Sequence, residues 1–173
     1  MSFFGTENRY GVFAQAFHWL TAILVFGAWL VAEGDRSPTI ALHETLGMAV
    51  IVVTILRLLW RFVDRQPAPV AMPRLMAIAS KIVHGVLFLL LLGLPISGAI
   101  GTQLEGHPIL LFGAQLGPFL ETSRAQAHAI LDVHETVGTL IIWLAGLHAV
   151  AALVHHFLMK DRVLKQMLPG PVT

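Results

Sequence analysis

The chain of 173 residues contains no cysteine. Disulfides, zinc–thiolate centres and Cys-ligated iron–sulfur clusters are thereby excluded. Charge is the second scarcity. Only 12% of residues are charged against 56% hydrophobic, and the mean hydropathy is +0.76. A soluble domain of this length carries about twice that charge, so the composition describes an integral membrane protein with little room for a separate soluble domain. The net charge of +1 gives nucleic acid nothing to bind. No small-residue cleavage pattern follows the first apolar segment, and a polar Glu33-Gly34-Asp35 ends it, so it is expected to be retained as a span.

Four apolar segments reach the roughly 20 residues that a helix needs to cross a bilayer. They lie at about 13–32, 41–62, 80–101 and 134–158, giving an all-α, four-helix membrane bundle as one domain over residues 1–173. Of the eleven Lys and Arg residues, all but Arg36 and Arg124 fall on one side of these spans. That asymmetry places both termini in the cytoplasm. The connection at 102–132 is then external. Its "HPILLFGAQLGPFL" is apolar but broken by Gly and Pro, so it is expected at the bilayer interface, with "SRAQAHAILDV" as a short helix leading into the fourth span.

What the chain has in excess is histidine, nine in all, several inside apolar runs. A polar side chain within a membrane is costly, so each needs a partner or a ligand. Alternating span directions set two depths: His43 and His134 near the outer surface, His18, His84 and His148 toward the inner one. His134 and His148 are 14 residues apart, about 21 Å along one helix and on nearly one face. Haem suits such a pair of depths, because an imidazole on each face leaves iron six-coordinate and fit for electron transfer. Without cysteine, covalent attachment of haem is excluded and non-covalent binding is expected. The outer depth carries a repeated motif, "LHETLG" from Leu42 and "VHETVG" from Val133. Its Glu and Thr suit the first turn of a helix, and its Gly leaves space for a ring or a neighbouring helix. Overlaying the second span on the fourth sets Arg57 at the place of His148, where it can meet a haem propionate or serve as an ordinary cytoplasmic anchor. His155 and His156 read as interfacial, and His107 and His128 as loop residues.

The stretches "FHWL", "DRSPTIALHETLG", "KIVHGVLFLLLLGLPISG" and "WLAGLHAVAALVHHFLMKD" resemble the bacterial cytochrome b561 family, in particular its small di-haem branch, superoxide oxidase. The resemblance covers nearly the whole chain. It implies two haem b groups stacked across the inner membrane, the outer held by His43 and His134 and the inner by His18 and His148. It further implies oxidation of superoxide to dioxygen outside and reduction of ubiquinone through both haems. Positive charge draws an anion, so Arg36 and then Arg124 are candidates to attract superoxide, although Asp35, Glu105, Glu121 and Asp132 lie on the same side. Lys81 and His84, one turn apart, are candidates for a quinone or propionate site.

Two other readings belong to different classes. An electron-conduit subunit would exchange electrons with a periplasmic donor or dehydrogenase, and would co-purify with it. A His-lined metal or proton transporter would carry carboxylates within its spans, whereas Glu44 and Glu135 stand only at their mouths. The residues alone leave oligomeric state and electron donor open.

Overall fold

The computed structural model describes residues 2–32 and 36–169, with residues 36–38 described in backbone only; Glu33-Gly34-Asp35 and the side chain of Arg36 lie outside it. Four helices dominate: α1 (Val12–Ala32), α2 (Arg36–Val63), α3 (Arg74–Leu104) and α4 (Arg124–Phe157). All four are long and apolar enough to cross a membrane. Large apolar side chains point outward along them, among them Ile23, Leu59, Leu89 and Trp143, each more than half exposed. Water would make such a surface costly, and lipid removes the cost. Polar Thr and Gln side chains, by contrast, turn inward at Thr21, Thr54, Gln15 and Gln103.

The helices overrun the expected spans. Helix α3 starts six residues early and α4 ten residues early, at Arg124 rather than 134. The 34 residues of α4 make about 51 Å of helix, against about 30 Å of hydrocarbon. The "SRAQAHAILDV" segment is therefore the first turns of α4, not a separate helix. The connection before it shrinks to residues 105–123 and contains a hairpin, β1 (Ile109–Leu111) and β2 (Ala114–Leu116), paired antiparallel as Ile109↔Leu116 and Leu111↔Ala114. Phe112 and Gly113 turn it with φ of 48° and 86°, the signs that a two-residue type I′ turn requires.

The interior is a thin layer. Val50 of α2, Leu91 of α3 and Ile141 of α4 form its buried centre, packed by Leu24, Val25, Leu87 and Leu94. Each central residue lies seven positions, two helical turns, from a histidine on its own helix: Val50 from His43, Leu91 from His84, Ile141 from both His134 and His148. The apolar layer thus separates two polar ones. At one end stands the hairpin. At the other, the segment before α1 and the segment after α4 meet, with Tyr10 N–H donating to the Gln166 carbonyl and Gly5 N–H to buried Asp64 at 2.6 Å.

Candidate haem sites

Helices α1 and α2 pack closely, as do α3 and α4, yet among the described residues no Cα of α2 comes within 8 Å of one in α4. Across that gap His43 faces His134 with ring centres 5.9 Å apart, and where α1 meets α4 His18 faces His148 at 6.2 Å. Two imidazoles on opposite faces of one metal have ring centres about 6 Å apart, given a bond of about 2 Å and roughly 1.1 Å from nitrogen to ring centre. Both pairs have that separation.

Tautomers sharpen the test at the hairpin end. His43 Nδ1 lies 2.9 Å from the Ala28 carbonyl, and His134 Nδ1 lies 2.9 Å from the Leu94 carbonyl. A carbonyl only accepts, so each Nδ1 carries the proton and each Nε2 keeps its lone pair. A metal-ligating histidine is held in the same way, its second nitrogen donating to a carbonyl that fixes the ring. The seat of His134 is built by Leu94, Ser97 and Gly98 on α3. The Leu94 carbonyl accepts from Nδ1, Ser97 Oγ stands 3.1 Å from Nδ1, and Gly98 leaves room where a β-carbon would meet the imidazole Cε1 at 2.8 Å. Sequence reasoning gave these three residues no role; the signal was a Pro-x-Ser-Gly run inside an apolar span. The glycines of the repeat matter less. A β-carbon at Gly47 or Gly138 would make only ordinary contact, at 3.8 and 3.9 Å.

The other end is more crowded. His84 joins His148 with ring centres 5.1 Å apart, so three imidazoles converge. His84 donates from Nδ1 to the Ser80 carbonyl at 2.6 Å, which leaves its Nε2 free. Arg57 instead donates to His18 Nδ1 at 3.2 Å and lies over the Phe88 ring at 5.0 Å. An arginine only donates, so His18 here carries its proton on Nε2. Ligation through Nε2 then needs that proton to leave, or Arg57 to turn to another acceptor such as a propionate. The residues fit haem at both ends, with Arg57 the group that must respond at this one. Lys81 is exposed one turn before His84.

The Glu and Thr of the repeated motif do not cap helix starts, because α2 and α4 begin seven and ten residues before the two histidines. Glu44 and Thr45 bind the hairpin, while Thr136 donates back to the Asp132 carbonyl at 2.9 Å. Asp132, Glu135, Thr136, Thr139 and Leu140 line an open groove on α4. Arg124 is exposed ten residues before His134, about 15 Å along the helix, so the fold does not bring it to the histidine pair. His155 bonds Asp161 at 2.5 Å beyond the end of α4.

A membrane bundle of four helices with paired imidazoles facing across it is the frame of a b-type membrane cytochrome. Residues 9–170 match the family model described as prokaryotic cytochrome b561, and the chain belongs to that family. It is 34% identical to cytochrome b561 homolog 2 of Escherichia coli K12, over 97% of this chain and 95% of that protein. It is 29% identical to the probable superoxide oxidase CybB of Yersinia pestis, over 94% and 97%, and 27% identical to cytochrome b561 homolog 1 of Escherichia coli K12, over 94% and 98%. Membership makes it a multi-pass membrane protein that binds haem b and transfers electrons.

Proposed function

We propose that this cytochrome oxidises superoxide to dioxygen at the hairpin end and reduces ubiquinone at the end where the terminal segments meet. One observation carries the reading: α4 alone contributes to both histidine pairs, His134 to one and His148 to the other, 14 residues apart. His43 and His134 would hold one haem b, His148 and His18 the second, and haem supplies one-electron redox chemistry at each level. Nine of the eleven bases lie toward the terminal end, which supports a cytoplasmic assignment for that end and an external one for the hairpin. The residues then divide the work. Arg36, seven positions before His43, attracts the anion, with Arg124 as a more distant contributor. Arg57 turns from His18 to a propionate, and Lys81 and His84 bind quinone at the cytoplasmic end. Two superoxide anions give two dioxygen molecules and two electrons, which with two protons convert ubiquinone to ubiquinol.

The groove on α4 supports a second reading. Asp132 and Glu135 line it, and carboxylates repel superoxide but suit a basic partner. On that reading the external donor is a periplasmic redox protein, and the rest of the electron route is the same. Purified protein with ubiquinone and a superoxide source separates the two. Ubiquinol formation that superoxide dismutase abolishes is the expected result. No superoxide-dependent ubiquinol at all would remove the oxidase reading and leave the conduit.

A further inference from the structure

The hairpin cannot stand alone. Its strands have three residues each, and an isolated two-stranded hairpin is marginal in water. Its turn also places Phe112, with a β-carbon, at a φ of 48°, where only glycine sits freely. What holds it is the first copy of the repeated motif. Leu110 N–H donates to Glu44 Oε2 at 2.7 Å, and Thr102 Oγ1 stands 3.4 Å from Glu44 Oε1. Phe112 N–H donates to Thr45 Oγ1 at 3.3 Å, and the Thr45 hydroxyl reaches the Leu110 carbonyl at the same distance.

These bonds join three parts of the molecule. Glu44 follows His43 directly on α2. Thr102 stands one turn beyond Gly98, the residue that seats His134 on α3. The carboxylate therefore ties the turn bearing one histidine, the turn beyond the seat of the other, and the hairpin backbone. Among the described residues the second copy of the motif has no such bonds. Thr136 satisfies itself on its own helix, and Glu135 is exposed beside the α4 groove.

We propose that Glu44 is a positioning residue for the His43–His134 site: by latching the hairpin across the ends of α2 and α3, it makes that hairpin a fixed wall of the outer haem pocket. The inference rests on the reading of His43 and His134 as a haem pair only for its effect on haem; the latch itself is independent of it.

The test uses the holoprotein in lipid nanodiscs, with amide hydrogen exchange at Leu110 and Phe112 and the low-spin EPR signals of the haems as two readouts. Loss of a hydrogen bond to a charged group is expected to speed exchange by roughly 10- to 100-fold in Glu44→Ala and to shift one of the two haem signals. Glu44→Gln, whose amide oxygen still accepts from Leu110, is expected to recover most of both. Glu135→Ala, the same change in the other copy, is expected to leave hairpin exchange unchanged. Exchange in Glu44→Ala within twofold of wild type overturns the latch, as does an equal effect of Glu135→Ala. Faster exchange with both haem signals unmoved overturns the positioning role. A wild-type protein with only one low-spin signal would instead count against the haem-pair reading, and the exchange result would still decide the latch.

Discussion

The imidazole of His134 packs against Gly98 through its Cε1, so close that a β-carbon there would come within 2.8 Å of Cε1 and 3.1 Å of Nδ1. Backbone and ring are thus fitted to each other across α3 and α4, and Ser97 and the Leu94 carbonyl fix the ring's orientation from the same helix. Gly98→Ala is expected to push the imidazole off its seat, at a cost of about 1–3 kcal/mol in thermal stability. Most of the haem at this level should be lost. Gly93→Ala, where nothing lies within 4 Å, should retain both haems. Haem per chain, measured as the pyridine haemochrome, distinguishes the two outcomes.

Removing the shared ligands one at a time should empty one level at a time. His134→Ala is expected to lose the haem at the hairpin end and His148→Ala the haem at the other, each leaving about one haem per chain. Two haems in both variants would refute the assignment. His18→Ala is the more telling change. His84 already presents a free Nε2 near His148, so this variant should keep part of its second haem through the third imidazole, whereas His18→Ala combined with His84→Ala should lose it entirely.

Arg57 does two jobs, donating to His18 and covering the Phe88 ring. Lysine keeps the charge but not the planar fork. Arg57→Lys is expected to cost about 1–2 kcal/mol and to alter the absorption of the haem nearer His148 while leaving the other unchanged. Thermal denaturation together with redox-resolved spectra measures both effects.

Beyond the end of α4, burial alone would raise the pKa of Asp161. The hydrogen bonds from His155 and from Val163 N–H, with the electrostatic pull of His155, outweigh it and hold the carboxyl below its ordinary 3.8. A folded-state pKa that is depressed adds stability above the unfolded value, and that stability is lost as pH falls through the folded one. Attachment of the segment after α4 should therefore weaken as pH falls below about 4. Asp161→Asn should remove this acid-dependent part, a change of about 0.5–1 kcal/mol, seen in thermal melts across that range.

Much of this frame was legible in the amino-acid order. Hydropathy locates four helices because lipid demands unbroken apolar length, and a spacing of 14 puts His134 and His148 on one face because 3.6 residues make a turn. The starts of α2, α3 and α4 were not legible. Residues such as Arg74 and Arg124 favour helix without being apolar, so α3 and α4 continue past the hydrocarbon where a hydropathy window stops. The partners of Glu44 and Thr45 were hidden for another reason. They are the backbone amides of Leu110 and Phe112, sixty-six and sixty-seven residues away, and a backbone amide leaves no mark in sequence. Local reasoning therefore assigned the pair to a helix start that the structure puts seven residues earlier. Gly98 was missed because a glycine in a membrane helix has many uses, and only the position of His134 selects one.

The apolar layer of Val50, Leu91 and Ile141 has a consequence for the cell's energetics. It stands about 10 Å along the helices from the histidine levels on either side, and these three side chains carry no titratable group through which a proton could hop. On the proposed route from superoxide to ubiquinone, charge that passes between the levels at this point is electronic. An electron moved on that route from the outer to the cytoplasmic face travels against an inside-negative potential, at about 2.3 kcal/mol per 100 mV for the full thickness. Turnover in sealed vesicles should then slow as the imposed voltage rises, with the three side chains as the dielectric between the two levels.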